Sequence, residues 1–318
     1  MTTKKKIRVG VVGIGHLGGY HLQKYANMDS CEIVAASDTQ IERAQNVADR
    51  YGCQAMADHR QMIGKVDAVS VAVPTGHHYA VARDFLAAGV DVLMEKPLCS
   101  TLAEADELLA LSQNKNLILQ VGFVERFNPA IIALEKVITR PVFIEVHRLH
   151  PFFERGTDVD VILDLMIHDL DIVLKFIDAP ITAVEAVGVP ILSEKIDISN
   201  VRLTFATGCI ANITASRISA KTMQKIRFFG PEGYHSVDCQ KREILSLSKI
   251  IGSDGKQQIV QNQVDVVNHD PLEEEIRSFV NAVQTRTKPP VSGEDGRRSL
   301  ALAIEILDKM KTHKDVAL

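Results

Sequence analysis

The strongest constraint in this sequence is a turn. The apolar run Ile7–Val12 stops at Gly13-Ile14-Gly15-His16-Leu17-Gly18, a G-x-G-x-x-G pattern set between a strand-like run and a helix-like one. In that context the first glycine permits a tight reversal and the second lets a pyrophosphate approach the backbone. The third lets the helix lie close on the strand, and the helix N-terminus favours negative charge. The residues up to about 123 keep the rhythm that this turn begins. Short apolar runs at Glu32–Ala36, Ala68–Val73, Val90–Met94 and Leu117–Val121 alternate with helix-like segments at Ile41–Tyr51, His78–Ala88 and Leu102–Ser112. Unbroken apolar character marks strands buried on both faces, so a doubly wound parallel sheet is expected over residues 1–123.

The rhythm then changes. Phe143–Leu149 reads as a strand and Val159–Ile177 as a long apolar helix. Ala183–Val189, Asn200–Ala206, Ile210–Ser216, Lys225–Phe229 and Glu243–Leu247 follow as strands without intervening helices, which indicates a largely antiparallel open sheet. Two helices, Pro271–Thr285 and Gly296–Thr312, close the chain on either side of Lys288-Pro289-Pro290. Residues 124–318 are therefore expected to form an α+β domain, and a length of 318 residues suits two domains. Alternation in Val201–Phe205 and Ile210–Ile213 leaves one sheet face to be covered, so a homodimer or homotetramer through that sheet is expected.

Composition narrows the class. A content of 46% hydrophobic and 24% charged residues is that of a globular protein, and a net charge of −4 argues against nucleic acid as a partner. The five cysteines, Cys31, Cys53, Cys99, Cys209 and Cys239, are scattered and form no CxxC pair, which fits a reducing cytoplasm. The basic stretch Lys4–Arg8 precedes a glycine-broken run with no cleavage signal, and nowhere do ~18 apolar residues run together, so no membrane span is expected.

Three further sites carry chemistry. Asp38 lies 20 residues beyond Gly18 at the end of the second run. There a carboxylate accepts from ribose hydroxyls and repels a 2′-phosphate, favouring NAD; Arg43 nearby leaves NADP open, and Asp38 could also cap a helix. Glu95-Lys96-Pro97 ends a strand at the sheet edge where such folds bind ligands. Lys96 could stabilise the charge that develops on a hydroxyl as hydride leaves, although a solvated turn, with or without a cis peptide, is the plainer reading. On the helix Val159–Ile177, at 100° per residue, Asp164, His168, Asp171 and Lys175 fall within about 60° of one another, with Asp160 at the edge. A carboxylate four residues from a histidine can orient a general base; the alternatives are a thin solvent face or a metal site, and no metal is expected for want of further ligands.

In combination these motifs resemble the Gfo/Idh/MocA oxidoreductases: the glycine turn with Asp38, Pro74-Thr75-Gly76-His77-His78, Glu95-Lys96-Pro97, and Asp164-x-x-x-His168-x-x-Asp171. Pro271-Leu272-Glu273-x-Glu275 and the stretch Pro290–Gly296 extend the resemblance over essentially the whole chain. It implies a Rossmann domain followed by a substrate domain, and an NAD-dependent dehydrogenase acting on a sugar or polyol CH–OH group. Lys96 and His168 would flank the reacting hydroxyl, with Asp164 placing both substrate and histidine; which of the two is the base stays open. Gly13, Gly15, His16, Leu17, Gly18, Asp38, Pro74, Thr75, His78, Glu95, Lys96 and Pro97 would line the cofactor. Val161-Ile162-Leu163 and Leu165-Met166-Ile167 are bulkier than the family's usual glycine-containing stretches, which implies a differently packed pocket.

Val121–Pro129 and Asp164–Asp171 are similar to the branch of the family that contains UDP-N-acetylglucosamine 3-dehydrogenases. On that reading Arg126, Asn128, Arg148, Arg155, Asp164 and Asp171 bind substrate, with Arg126, Arg148, Arg155, His147 and His150 offering cations to a diphosphate. An inositol or free-hexose dehydrogenase, or a non-catalytic NAD-binding regulator, are the alternatives.

Overall fold

The computed structural model describes residues 6–153, 159–231, 233–253 and 255–311. In chain order the elements are β1 (Ile7–Val12), α1 (His16–Ala26), β2 (Cys31–Ser37), α2 (Ile41–Tyr51), β3 (Gln54–Met56), β4 (Ala68–Val71), α3 (His78–Ala87), β5 (Asp91–Glu95), α4 (Leu102–Asn114), β6 (Leu119–Gly122) and α5 (Pro129–Leu134). There follow β7 (Phe143–Leu149), α6 (Ile167–Phe176), β8 (Ile181–Val189), β9 (Ile198–Phe205), β10 (Ile210–Ser216), β11 (Met223–Gly230), β12 (Gly233–Asp238), β13 (Glu243–Ile251), β14 (Gln257–Asn262), α7 (Pro271–Thr285) and α8 (Gly293–Lys311).

The first unit comprises residues up to Val124 together with Asp270–Leu300. Its sheet has the order β3-β2-β1-β4-β5-β6, every pair parallel. β1 has neighbours on both sides, so strand order reverses between β1 and β4. The burial of β1, β4 and β5 is nearly continuous, as strands covered on both faces require. Sequence rhythm assigns everything after residue 123 to the second domain, whereas α7 belongs to the first. Ile276, Phe279, Val280 and Val283 share one core with Ile7, Val9, Leu22 and Tyr25. Asp270 caps α7 at Glu273 N and receives Lys24 Nζ of α1 at 2.7 Å. Arg286, just past the other end of α7, reaches Asp91 at 2.6 Å. An amphipathic helix carries no mark of which sheet it returns to, which is why the sequence leaves this segment with its neighbours.

The second unit comprises Glu125–His269 with the chain from Ala301 onward. Its eight-stranded sheet runs β14-β13-β12-β11-β7-β10-β9-β8. All of its pairs are antiparallel except β7 with β10. Two of these strands carry too little apolar alternation to be read from sequence. The inward positions of β12 are only His235 and Val237, and β14 is an exposed edge strand with Gln257, Gln258 and Gln261.

One buried hub fixes how the helical segment enters this unit. Asp197 Oδ2 accepts from the amides of Ile191 (2.8 Å), Leu192 (2.6 Å) and Ser193 (2.9 Å), and Oδ1 accepts from Arg217 Nε at 2.8 Å. Arg217 also donates to the carbonyls of Val159 and Ile196, while Asp160 accepts from Ile196 N. Burial pushes the Asp197 carboxyl up, but the Ser193 hydroxyl and the three amides outweigh it and hold the group below the usual carboxylate range. Arg217→Ala leaves that buried charge without its cation and is expected to cost about 3–5 kcal/mol in urea unfolding at pH 7. Because the folded carboxyl is held low, its contribution is present above the ordinary pKa and lost in acid. The stability gap between wild type and Asp197→Asn should therefore close as the pH falls below the carboxylate range.

Candidate active site

In the first unit the glycine turn lies where strand order reverses. Gly13 has φ +88°, and a Cβ there would meet the carbonyl oxygen of Ala72, just past β4, at 2.6 Å. At Gly18 a Cβ would lie 1.9 Å from the Gly13 oxygen. These two glycines are required by the chain itself. Gly15 is not: its Cβ would meet nothing within 4 Å, and it begins α1 without a side-chain cap. The open cradle at Gly15, exposed together with His16 and Leu17, fits a pyrophosphate against the first amides of α1. The half-buried carboxylate of Asp38 borders the turn, accepting from Ile14 N at 2.7 Å and Gln40 N at 2.8 Å. It does not cap α2, whose N-cap is Gln40. Together these groups would hold a dinucleotide, with Asp38 toward its ribose hydroxyls.

Pro74 is exposed and Thr75 half-buried, at the start of a short 3₁₀ turn over Thr75–His77. Two residues of the expected cofactor lining face elsewhere. His78 is 1% exposed, with Nδ1 2.8 Å from the Pro97 oxygen and Nε2 2.8 Å from the Val73 oxygen. It ties the turn after β4 to the turn after β5, and burial pushes its imidazole below the ordinary value against the pull of those carbonyls. Glu95 turns its carboxylate inward, with Oε1 3.0 Å from His21 Nε2. Lys96 follows it, half-buried, and the Lys96–Pro97 peptide is cis.

In the second unit the expected helix Val159–Ile177 is not a single α-helix. Ile162–Met166 forms a π-helical turn that runs into α6. A π turn takes up an extra residue, so the polar stripe computed at a uniform 100° does not persist. Asp164 and His168 are half-buried, Asp171 is buried at 2% exposure, and Lys175 is exposed near Glu135. π turns concentrate at functional sites because they re-aim a side chain, here the segment carrying Asp164 just before His168.

Most of the residues expected to bind substrate are internal. Arg148 sits on the buried face of β7 and clamps Asp169 with two bonds of 2.8 and 2.9 Å, with a third to Glu125 at 3.1 Å. Burial pushes the Asp169 carboxyl up despite the opposing pull of Arg148. Arg126 lies 3.6 Å from Asp171, both buried. Asn128 caps α5 at Ala130 N and donates to the Cys239 carbonyl at 2.9 Å. Arg126, Asn128, Arg148 and Asp171 thus make these contacts within the unit. Arg155 lies outside the described residues. Burial, and then Arg148, push the His150 pKa down, with Asp164 and Glu125 opposing, and Gln224 Nε2 lies 3.0 Å from its Nε2.

Sequence reading missed His21, which stands at a core position on α1, and gave no role to Glu275, quoted only within a motif. The available signal for Glu275 is a carboxylate within the apolar stripe of α7, beside Ile276 and Phe279.

With this geometry in hand, the chain falls into a class of dinucleotide-binding oxidoreductases. A family profile described as an oxidoreductase family with an NAD-binding Rossmann fold matches residues 7–123, and that of the GFO/IDH/MocA C-terminal domain matches residues 135–236. The chain belongs to the Gfo/Idh/MocA family. It is 37% identical over 302 residues to UDP-N-acetylglucosamine 3-dehydrogenase of Acidithiobacillus ferrooxidans, covering 94% of this chain and 96% of the relative. A solved structure of that enzyme superposes with a TM-score of 0.88 at 35% identity, over 96% of this chain and 98% of the other. Myo-inositol 2-dehydrogenase of Thermotoga maritima is 26% identical over 331 residues, 98% of each chain. The fold is shared with scyllo-inositol dehydrogenase of Lactobacillus casei, solved with NAD(H) and scyllo-inositol, at a TM-score of 0.81 and 20% identity over 97% of this chain and 98% of that one.

The glycines separate binding from folding. Gly15→Ala should weaken NAD binding about tenfold or more, ~1.4 kcal/mol, in a fluorescence titration while leaving the melting temperature unchanged. Gly18→Ala should lower the melting temperature, because its Cβ meets backbone rather than a movable side chain.

Proposed function

We propose that this chain oxidises a secondary hydroxyl of a nucleotide sugar, at C3 of UDP-N-acetylglucosamine, with hydride transfer to NAD. The 37% identity over 94% of the chain to a UDP-N-acetylglucosamine 3-dehydrogenase carries the choice of substrate. The half-buried Asp164 in the π turn and the half-buried His168 just after it on α6 support the choice of chemistry. Oxidation of R₂CH–OH to R₂C=O releases one hydride and one proton. Bound NAD supplies the hydride acceptor. His168 takes the hydroxyl proton, since an imidazole can hold a proton near neutral pH and pass it to solvent. Lys96 places its ammonium at the oxygen, where negative charge builds as the proton leaves. The converse, Lys96 as base with His168 as hydrogen-bond donor, uses the same two groups. Asp164, whose charge reaches His150, orients substrate and histidine. Asp38 favours NAD over NADP by repelling a 2′-phosphate.

The second unit is assigned to substrate binding and assembly. Its open sheet face carries the ring contacts Phe143–Phe229 and Phe229–Tyr234, with centroids 5.5 and 5.1 Å apart, which a second copy can cover. Five free cysteines, four of them buried, suit the reducing cytoplasm, and no helix among the described residues is long and apolar enough to cross a membrane.

Lys96→Met and His168→Ala should each lower turnover of UDP-N-acetylglucosamine by about 10²–10⁴-fold, followed by NADH absorbance, with NAD binding retained. A wild-type rate in either variant removes that residue from the chemistry. UDP alone should compete with substrate; turnover of inositols without inhibition by UDP would assign the enzyme to the inositol dehydrogenases. Tight NAD binding with no turnover across a sugar-nucleotide panel would make it a regulator. Light scattering at micromolar concentration should give a dimer or tetramer, and a monomer refutes the assembly.

A further inference from the structure

Behind the strand end that carries Lys96 lies a group of polar side chains that the proposed reaction does not use. Glu95 points its carboxylate into the first unit, 3.0 Å from His21 Nε2. Gly122 leaves the space for it, since a Cβ on Gly122 would come within 3.2 Å of that carboxylate. Glu275 of α7 completes the cluster: His21, Glu95 and Glu275 each offer one ligating atom, and these lie within 4.8 Å of one another. Glu275 is 0% exposed, and neither of its carboxyl oxygens has a hydrogen-bond partner among the described residues; the same holds for His21 Nδ1. The backbone carbonyl of Glu275 accepts from Gln120 Nε2 at 3.0 Å, which ties α7 to β6 at this residue.

A core position for its own sake is better filled by leucine, because a buried carboxyl without partners sacrifices its hydration. The position of Glu275, beside the carboxylate whose neighbour in sequence is Lys96, indicates what the sacrifice serves. We propose that His21 and Glu275 are positioning residues for the dehydrogenation: the His21 ring contacts the Glu95 carboxylate, Glu275 fills the space beside it, and Glu95, the last residue of β5, thereby fixes the chain where it passes into Lys96. The inference rests on the role given to Lys96 under the proposed function.

The electrostatics agree with this arrangement. Burial, and then the charge of Glu95, push the Glu275 carboxyl well above its ordinary value, which favours the neutral acid. The groups facing it are His21 and Tyr25 from α1 and Glu95 from β5, and burial likewise pushes the Tyr25 hydroxyl up. Glu95 therefore has a neutral acid on one side and the His21 ring on the other. Ionisation of Glu275 would set two carboxylates against each other and loosen the inward turn of Glu95.

The test uses the full-length enzyme with saturating NAD and UDP-N-acetylglucosamine. Glu95→Ala should lower kcat about tenfold or more with little change in the KM for NAD, and Glu95→Gln, which still accepts from His21, should restore most of it. In the Lys96→Met background, Glu95→Ala should change the residual single-turnover rate less than about twofold, because its effect passes through Lys96. Glu275→Gln keeps the neutral shape at every pH, so the alkaline fall of kcat should move upward by about one pH unit or more. It should also gain stability over wild type as pH rises above the ordinary carboxyl range, where only the unfolded wild-type chain releases the proton. An unchanged kcat per folded molecule in Glu95→Ala, the same loss with and without Lys96, or an unmoved alkaline limb in Glu275→Gln overturns the proposal. A fully active Lys96→Met enzyme would sink the proposed role of Lys96 and this inference together. An impaired Lys96→Met beside an unimpaired Glu95→Ala sinks the inference alone.

Discussion

The close approach of α1 to β1 governs the first unit. Without a Cβ at Gly18 the helix lies against the Gly13 carbonyl, and that contact sets where every later turn of α1 falls. Gly18, His21, Leu22 and Tyr25 are its buried residues, spaced as one helical face. Leu22 and Tyr25 enter the core, where Tyr25 also hydrogen-bonds Ser70 at 2.8 Å. Full burial of such side chains contributes about 1.5–3 kcal/mol each, enough to carry one polar neighbour into the interior. That neighbour is His21, and its ring meets Glu95 at the strand end before Lys96. The turn that opens a cradle for a pyrophosphate thus also places a group behind the candidate catalytic lysine.

The second unit solves a comparable problem with guanidinium groups. Arg148 holds Asp169, one residue after His168, and Arg217 holds Asp197 beside the chain that enters the π turn. Buried ion pairs of this kind add little net stability over apolar packing of the same volume, but removal of one partner is costly. Their effect is to permit one placement of the segment Asp160–Asp171 and to penalise others. The half-buried histidine between these two anchors is therefore held from both ends.

The parallel domain was legible in sequence because it rests on local signals: unbroken apolar runs, the glycine turn, and Asp38 at the expected distance. The positions of Lys96, Asp164 and His168 were legible as motif residues, and the structure leaves all three at half-buried positions. What could not be read was pairing across long separations. Arg148 and Arg126 look like available cations in a sequence, since nothing local shows that Asp169 and Asp171 face them. The π turn at Ile162–Met166 was invisible because one extra residue in a helical turn leaves no compositional trace. The return of α7 and the two weak strands β12 and β14 failed for the same reason: their placement depends on partners distant in sequence.

The two units differ in how they tolerate a buried carboxyl. Asp169 and Asp197 each sit beside a guanidinium that stays protonated throughout the physiological range. Glu275 has no such cation among its neighbours and relies on its own proton, held by burial and by the charge of Glu95. A proton is exchangeable where a guanidinium is not. Next to His168 the buried carboxylate of Asp169 is paired with a guanidinium, whereas the acid beside Glu95 has no cation among the described residues. A lysine that stabilises developing negative charge must keep its direction while the solvent pH varies, and a neutral acid provides this only below its own raised pKa.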